Sequence, residues 1–91
     1  MHNNQHIIDL CNNALEATRE LIPPEVYTEA YDYINRYSEW GVGIEALIDG
    51  LTDLEIQISS DQFSLIEAAT AAMEWGNSTR ISYLRDHNVI T

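Results

Sequence analysis

The chain has 91 residues, of which 15 are acidic and 4 basic, giving a formal net charge of −11 with 45% hydrophobic residues and a single cysteine. This length holds one domain, spanning residues 1–91. The charge argues against direct contact with nucleic acid or an anionic membrane. The apolar fraction argues against disorder, and Cys11 alone leaves no internal disulfide.

No lysine is present; the cations are Arg19, Arg36, Arg80 and Arg85. No run approaches the ~20 apolar residues that span a bilayer. The opening segment Met1-His2-Asn3-Asn4-Gln5-His6 lacks the basic and apolar regions of a secretory leader. The expectation is a cytoplasmic protein.

The first predicted helix runs from about Asn4 to Ile22. Ile7, Cys11, Ala14, Leu15, Thr18, Leu21 and Ile22 recur at three-to-four spacing, with Asn12, Asn13, Glu16, Arg19 and Glu20 opposite. Cys11 falls inside that stripe and reads as a core residue. Pro23-Pro24 stops the helix, because the residue before a proline avoids the helical region. Pro24 then suits the first turn of a second helix, with Glu25 at the positive end of its dipole. The stripe of this helix is Val26, Tyr27, Ala30, Tyr31, Ile34 and Tyr37. Tyr27, Tyr31 and Tyr37 are read as sharing one face, packed with their hydroxyls at the rim or lining an interface.

A third helix covers about Glu39 to Asp53, with Trp40, Ile44, Leu47, Ile48 and Leu51 inward. Gly41 and Gly43 each cost ~1 kcal/mol of helix propensity, which implies close approach of a neighbouring helix. Leu54 to Ile58 alternates and is extended, too short to build a sheet alone. Ser59 and Gln62 have capping-box spacing and open a fourth helix. Phe63, Ile66, Ala69, Thr70 and Met73 share its inner face, and it ends near Trp75-Gly76. Asn77 or Ser78 caps a short last helix through about His87, with Ile81 and Leu84 inward. The fold class is therefore all-α, a compact bundle of four to five short helices. Its expected core is Ile7, Leu10, Cys11, Leu15, Val26, Ala30, Ile34, Leu47, Leu51, Phe63, Ile66 and Met73.

Motifs for chemistry are lacking. The three histidines lie at the chain ends with one cysteine, so no zinc constellation forms; His2 and His6 are four apart but belong to a terminus. Asp49, Asp53 and Glu55 do not make a calcium loop. There is no nucleophile elbow and no phosphate-binding glycine loop. Acyl carrier proteins share the size and charge, but no serine sits in their Asp-Ser-Leu context. No cofactor and no catalytic activity are expected.

The acidic residues are patterned. Glu45, Asp49 and Asp53 fall at i, i+4 and i+8 of the third helix, where like charges cost roughly 0.2–0.5 kcal/mol per pair. No Lys or Arg within that helix relieves them, and Glu55 and Asp61 follow. Glu25, Glu29 and Asp32 form a second stripe, partly relieved by Arg36. A solvated face is the simplest account of one such stripe. Two stripes in a lysine-free chain point to a surface that steers a cationic partner.

The stretch from Tyr33 to Leu47, Tyr-Ile-Asn-Arg-Tyr-Ser-Glu-Trp-Gly-Val-Gly-Ile-Glu-Ala-Leu, resembles the MafI-like immunity proteins of bacterial polymorphic-toxin and contact-dependent inhibition systems. The resemblance extends over about Val26 to Met73 and includes the Glu-x-Ile-x-Ile-Ser loop from Glu55. Glu39, Gly41, Glu45 and Leu47 carry it, while Ser38 stands where the family often has glycine. It implies a cytoplasmic antidote that binds and blocks a cognate toxin domain, often a nuclease. The expectation is thus a monomer that forms a heterodimer with a basic toxin C-terminal domain. The partner-binding candidates are Glu45, Asp49, Asp53, Glu55, Asp61, Glu29 and Asp32. The alternative is an acidic nucleic-acid mimic or adaptor for a basic DNA-binding or regulatory protein.

Overall fold

A computed structural model describes residues 4–74 and 78–90. It contains five α-helices: α1 (Gln5–Thr18), α2 (Pro24–Asn35), α3 (Trp40–Asp53), α4 (Ser60–Ala72) and α5 (Thr79–Asn88). Two short strands, β1 (Ile58–Ser59) and β2 (Val89–Ile90), pair in parallel with Ile58 opposite Val89 and Ser59 opposite Ile90. The protein is an all-α bundle, as its periodicity predicts. The predicted end of the fourth helix at Trp75-Gly76, the cap at Asn77 and the partner histidine His2 lie outside the described residues.

In α1 the inward face is Cys11, Ala14, Leu15 and Thr18. The Thr18 hydroxyl donates back to the carbonyls of Ala14 and Leu15 at 3.0 and 3.2 Å, which satisfies a buried polar group without a tertiary partner. A 3₁₀ turn, Arg19–Leu21, ends the helix, and Ile22 turns extended before Pro23. The tighter turn rotates Leu21 outward to 41% exposure, so Leu21 does not join the stripe assigned to it. Pro24 occupies the first turn of α2, as predicted, and the Pro23 carbonyl accepts from Val26 and Tyr27.

α2 and α3 form an antiparallel hairpin joined through residues 36–39. The connection closes where Ser38 adopts φ 54°, with the Glu39 amide donating to the Tyr33 carbonyl at 2.7 Å. Because α2 stops at Asn35, Tyr37 lies beyond it and is exposed rather than in the apolar stripe. Tyr31 is also exposed, and Ala30 and Ile34 carry the buried face.

Glycine sets the spacing of the hairpin. A Cβ on Gly43 would lie 2.6 Å from Ile34 Cγ1 and 2.9 Å from the Ala30 carbonyl oxygen. One on Gly50, seven residues on, would lie 2.7 Å from Val26 Cγ1. The close approach inferred for Gly41 and Gly43 is therefore present at Gly43, and Gly50 extends it along the helix.

α1 packs against α4, α2 and α3, and α5 packs against α3. Cys11, Leu15, Ala30, Ile34, Leu47, Leu51, Phe63 and Ile66 are buried as expected, while Ile7, Leu10, Val26 and Met73 pack half-buried at the edge of the core. Ile44, Ile48, Ile58, Ile81 and Leu84 complete it. The capping box of α4 forms in full, with reciprocal bonds between Ser59 and Gln62 at 3.0 and 2.8 Å. The Gln62 amide also donates to the Ala17 carbonyl at 3.0 Å, fixing the start of α4 against α1. Ser78 caps α5 by accepting from the Ile81 amide.

The segment after α3 turns at Glu55, φ 55°, and runs into β1. Asn88, buried at the end of α5, donates to the carbonyls of Leu51 and Ile56 at 3.1 and 2.8 Å. It thereby stitches α5 to the exit of α3. The segment predicted as extended finds its strand partner in Val89–Ile90, which lies 31 register positions further along the chain.

Replacing Gly43 with Ala should lower stability by about 1–3 kcal/mol in urea unfolding, because overpacking against the α2 backbone outweighs a propensity gain of about 1 kcal/mol. Leu47→Ala, at a fully buried site, should cost ~2–5 kcal/mol in the same measurement.

Candidate partner-binding face

Glu45, Asp49 and Asp53 lie on the outer side of α3, opposite the buried Ile44, Leu47, Ile48 and Leu51. No cation within α3 relieves this stripe, but α5 supplies one for Glu45 and Asp49. Arg80, in the first turn of that helix, reaches across to it. Its Nε donates to Asp49 Oδ1 at 3.0 Å and its Nη2 to Oδ2 at 3.4 Å, a two-pronged contact. The same Nη2 stands 3.7 Å from Glu45 Oε2. The hydrogen bond to Asp49, then the charges of Asp49 and Glu45, raise the pKa of Arg80 above its ordinary value. The relief comes from 31 residues away, so no intrahelical pattern could disclose it.

Every arginine is engaged: Arg19 with Glu16, Arg36 with Asp32, Arg80 with Asp49 and Glu45, and Arg85 with Asp86. Asp53 and Glu55 have no ion pair among the described residues. Both border the groove between α3 and α5. Its first part takes Asp49, Thr52 and Asp53 from α3 and Arg80 and Tyr83 from α5. An adjoining hollow has Glu55 and Gln57 on one side and His87 on the other, and shares Thr52 and Tyr83 with the first. Tyr83 is 52% exposed, and its ring centroid lies 4.1 Å from that of His87.

The structure therefore gathers four of the seven candidate residues, Glu45, Asp49, Asp53 and Glu55, along one side of α3 and its exit. Asp61 is in the first turn of α4, where its charge complements the helix dipole. Glu29 is exposed on α2, and the Asp32 carboxylate lies 3.8 Å from Arg36. None of these three lines the groove. Arg80, Tyr83 and His87 were not singled out from the sequence. Their i, i+3, i+7 spacing does place them on one face of α5, but only packing reveals that α3 carboxylates stand opposite.

The tyrosines divide differently from expectation. Tyr27 and Tyr31 stack at 5.9 Å on the side facing α1, whereas Tyr37 meets Tyr33 edge-on at 5.9 Å. The Tyr27 hydroxyl donates to Glu16, and Arg19 lies 4.4 Å over its ring. That hydrogen bond is the main cause of the raised Tyr27 pKa, ahead of burial and the Glu16 charge. Tyr27 is thus engaged within the fold, which leaves Tyr31 the more available of the pair.

Among the described residues no group of three or more His, Cys, Asp or Glu side chains could hold a metal, and no helix is long and apolar enough to cross a membrane. Cys11 is fully buried, and desolvation pushes its thiol from 9.0 up to about 12. A thiol in that state is a core residue and a poor nucleophile near neutrality.

The Asp49–Arg80 pair is half-exposed, so a double-mutant cycle with Asp49→Asn and Arg80→Gln should give a coupling of about 0.2–1 kcal/mol that shrinks with added salt. Arg80→Gln should destabilise more than Asp49→Asn, because it leaves all three α3 carboxylates unrelieved. For Cys11 the folded state holds the proton more tightly than the unfolded chain. Its contribution to stability is whole below pH 9.0 and is lost as pH rises towards about 12. At pH 8 a thiol reagent should label the native protein slowly and the urea-unfolded protein at once. Comparison with family models, with curated proteins and with solved structures returns no match.

Proposed function

We propose that this chain is a cytoplasmic antidote of the MafI-like kind, which binds a basic toxin domain, a nuclease in class, and blocks it. The observation that carries the reading is the α3–α5 face. There Asp53 and Glu55 have no ion pair among the described residues and stand beside the exposed ring of Tyr83. The chain has a net charge of −11, and each of its four arginines is already paired with another carboxylate. A basic partner supplies what is lacking, and an exposed tyrosine next to the charge is the kind of residue that anchors interfaces.

The family resemblance gains support from Ser38. It occupies the left-handed region, φ 54°, at the position where the family often has glycine, the residue that enters that region without strain. The Tyr33–Leu47 stretch thus makes the sort of turn that a glycine there would serve.

The mechanism is electrostatic before it is steric. Long-range attraction draws the toxin's phosphate-binding surface towards the acidic face and speeds encounter. Once docked, the carboxylates occupy positions where nucleic-acid phosphates would sit, or cover the approach to them. No catalytic step is assigned to this chain; it acts as a monomer forming a one-to-one complex.

The test is co-expression with the toxin domain encoded by the neighbouring gene. The chain should restore growth and co-elute with that domain. Raising salt from 0.1 M to 1 M, which shortens the Debye length from ~10 Å to ~3 Å, should slow association far more than it changes dissociation. The triple variant Asp49→Asn, Asp53→Asn, Glu55→Gln should associate more slowly at low salt. Unchanged affinity and association rate in that variant would make the face a solvated surface only. Capture of a DNA-binding protein in place of a toxin would favour the mimic or adaptor reading.

A further inference from the structure

We propose that the α3–α5 groove is a seat for an arginine side chain of the basic partner, its guanidinium lying against the Tyr83–His87 pair and meeting Asp53 or Glu55. This inference rests on the binding role proposed above and adds where and how the partner's cation is held.

Three observations combine. The two hollows between α3 and α5 adjoin, with Thr52 and Tyr83 bordering both. The Tyr83 and His87 rings lie 4.1 Å apart with a 35° tilt, and both side chains are exposed. They therefore present an aromatic surface to whatever enters. Asp53 borders one part and Glu55 the other, each without an ion pair among the described residues. The face already holds one guanidinium, that of Arg80, by a two-pronged contact with Asp49. Arg80 uses up Glu45 and Asp49, so an incoming cation is directed to the Asp53–Glu55 end.

Arginine fits this seat better than lysine. Its planar guanidinium stacks on aromatic rings and pairs side-on with a carboxylate, while the lysine ammonium is a strongly hydrated point charge with no flat face. A guanidinium already lies on a tyrosine ring elsewhere in the fold, where Arg19 stands 4.4 Å over Tyr27. Arg80 is a positioning residue here. It fixes the upper wall of the groove and lowers the mutual repulsion of the carboxylates it binds.

The experiment titrates the ¹⁵N-labelled chain with acetyl-hexaarginine amide and, separately, acetyl-hexalysine amide. Amide shifts should centre on residues 49–55 and 79–88, with tighter binding of the arginine peptide. Tyr83→Ala should weaken the arginine peptide about two- to five-fold, the range expected for an exposed cation–π contact, and affect the lysine peptide less; Tyr83→Phe should bind as the parent does. Asp53→Asn with Glu55→Gln should weaken binding more than the charge-matched pair Glu20→Gln with Glu67→Gln, which lies outside the groove. Shifts spread evenly over the acidic surface, equal weakening by the two charge pairs, or no binding of the arginine peptide would overturn the proposal. No toxin takes part in this titration. A negative result with growth rescue intact removes the arginine seat alone, and a positive result without rescue removes the antidote reading alone.

Discussion

The contact between α2 and α3 is the constraint on which the rest depends. Gly43 faces the Ala30 carbonyl and Ile34, and Gly50 faces Val26, at separations that leave no space for a methyl group. With the hairpin so tight, Leu47 falls on the glycine face of α3 and Ile44, Ile48 and Leu51 fall beside it, in the core shared with α1 and α5. The same rotation of α3 presents Glu45, Asp49 and Asp53 to solvent. The acidic face is a geometric result of seating the glycines, and its orientation is as fixed as the seam itself.

Folding and surface charge are in tension. Like carboxylates four residues apart oppose the helix that displays them, and the chain contains no lysine to soften this. Arg80 acts as a brace between helices, holding Asp49 and Glu45 from α5 at a half-exposed site of modest energetic value. Its larger consequence is positional. It ties the first turn of α5 to the middle of α3, while Asn88 ties the last turn of α5 to the α3 exit through two backbone carbonyls. Between these two attachments Tyr83 and His87 stand opposite Thr52 and the carboxylates. The groove thus has a charged fastening at one end and a buried amide fastening at the other.

Most of the fold was legible in the sequence because its signals are local. The Pro23-Pro24 stop, the Ser59–Gln62 box and the spacing of Cys11, Leu15, Ile44 and Leu47 each operate within a turn or two of helix. The departures arise where a helix ended earlier than its pattern. Leu21 continues the α1 stripe on paper, but a 3₁₀ turn rotates it out, and Tyr37 continues the α2 stripe but lies past Asn35. Val89–Ile90 is too short to register as a strand without Ile58–Ser59 beside it. The candidate face was legible only in half. Its carboxylates declared themselves by i, i+4 spacing on α3, whereas Arg80, Tyr83 and His87 acquire meaning solely from the packing of α5 on α3, a relation that no periodicity encodes.

The parallel pairing of β1 with β2, together with the Asn88 stitch, also fixes an order of assembly. During synthesis the chain emerges from its N-terminus, so the α2–α3 hairpin and its glycine seam can close while α5 is still unmade. Until residues 79–90 emerge, the Leu51 and Ile56 carbonyls lack the Asn88 side-chain amide, β1 lacks its neighbour and the α3 carboxylates face open water without Arg80. The α3–α5 groove consequently forms only after the α2–α3 hairpin has been made. A nascent chain therefore carries the acid stripe before it carries the aromatic wall of Tyr83 and His87.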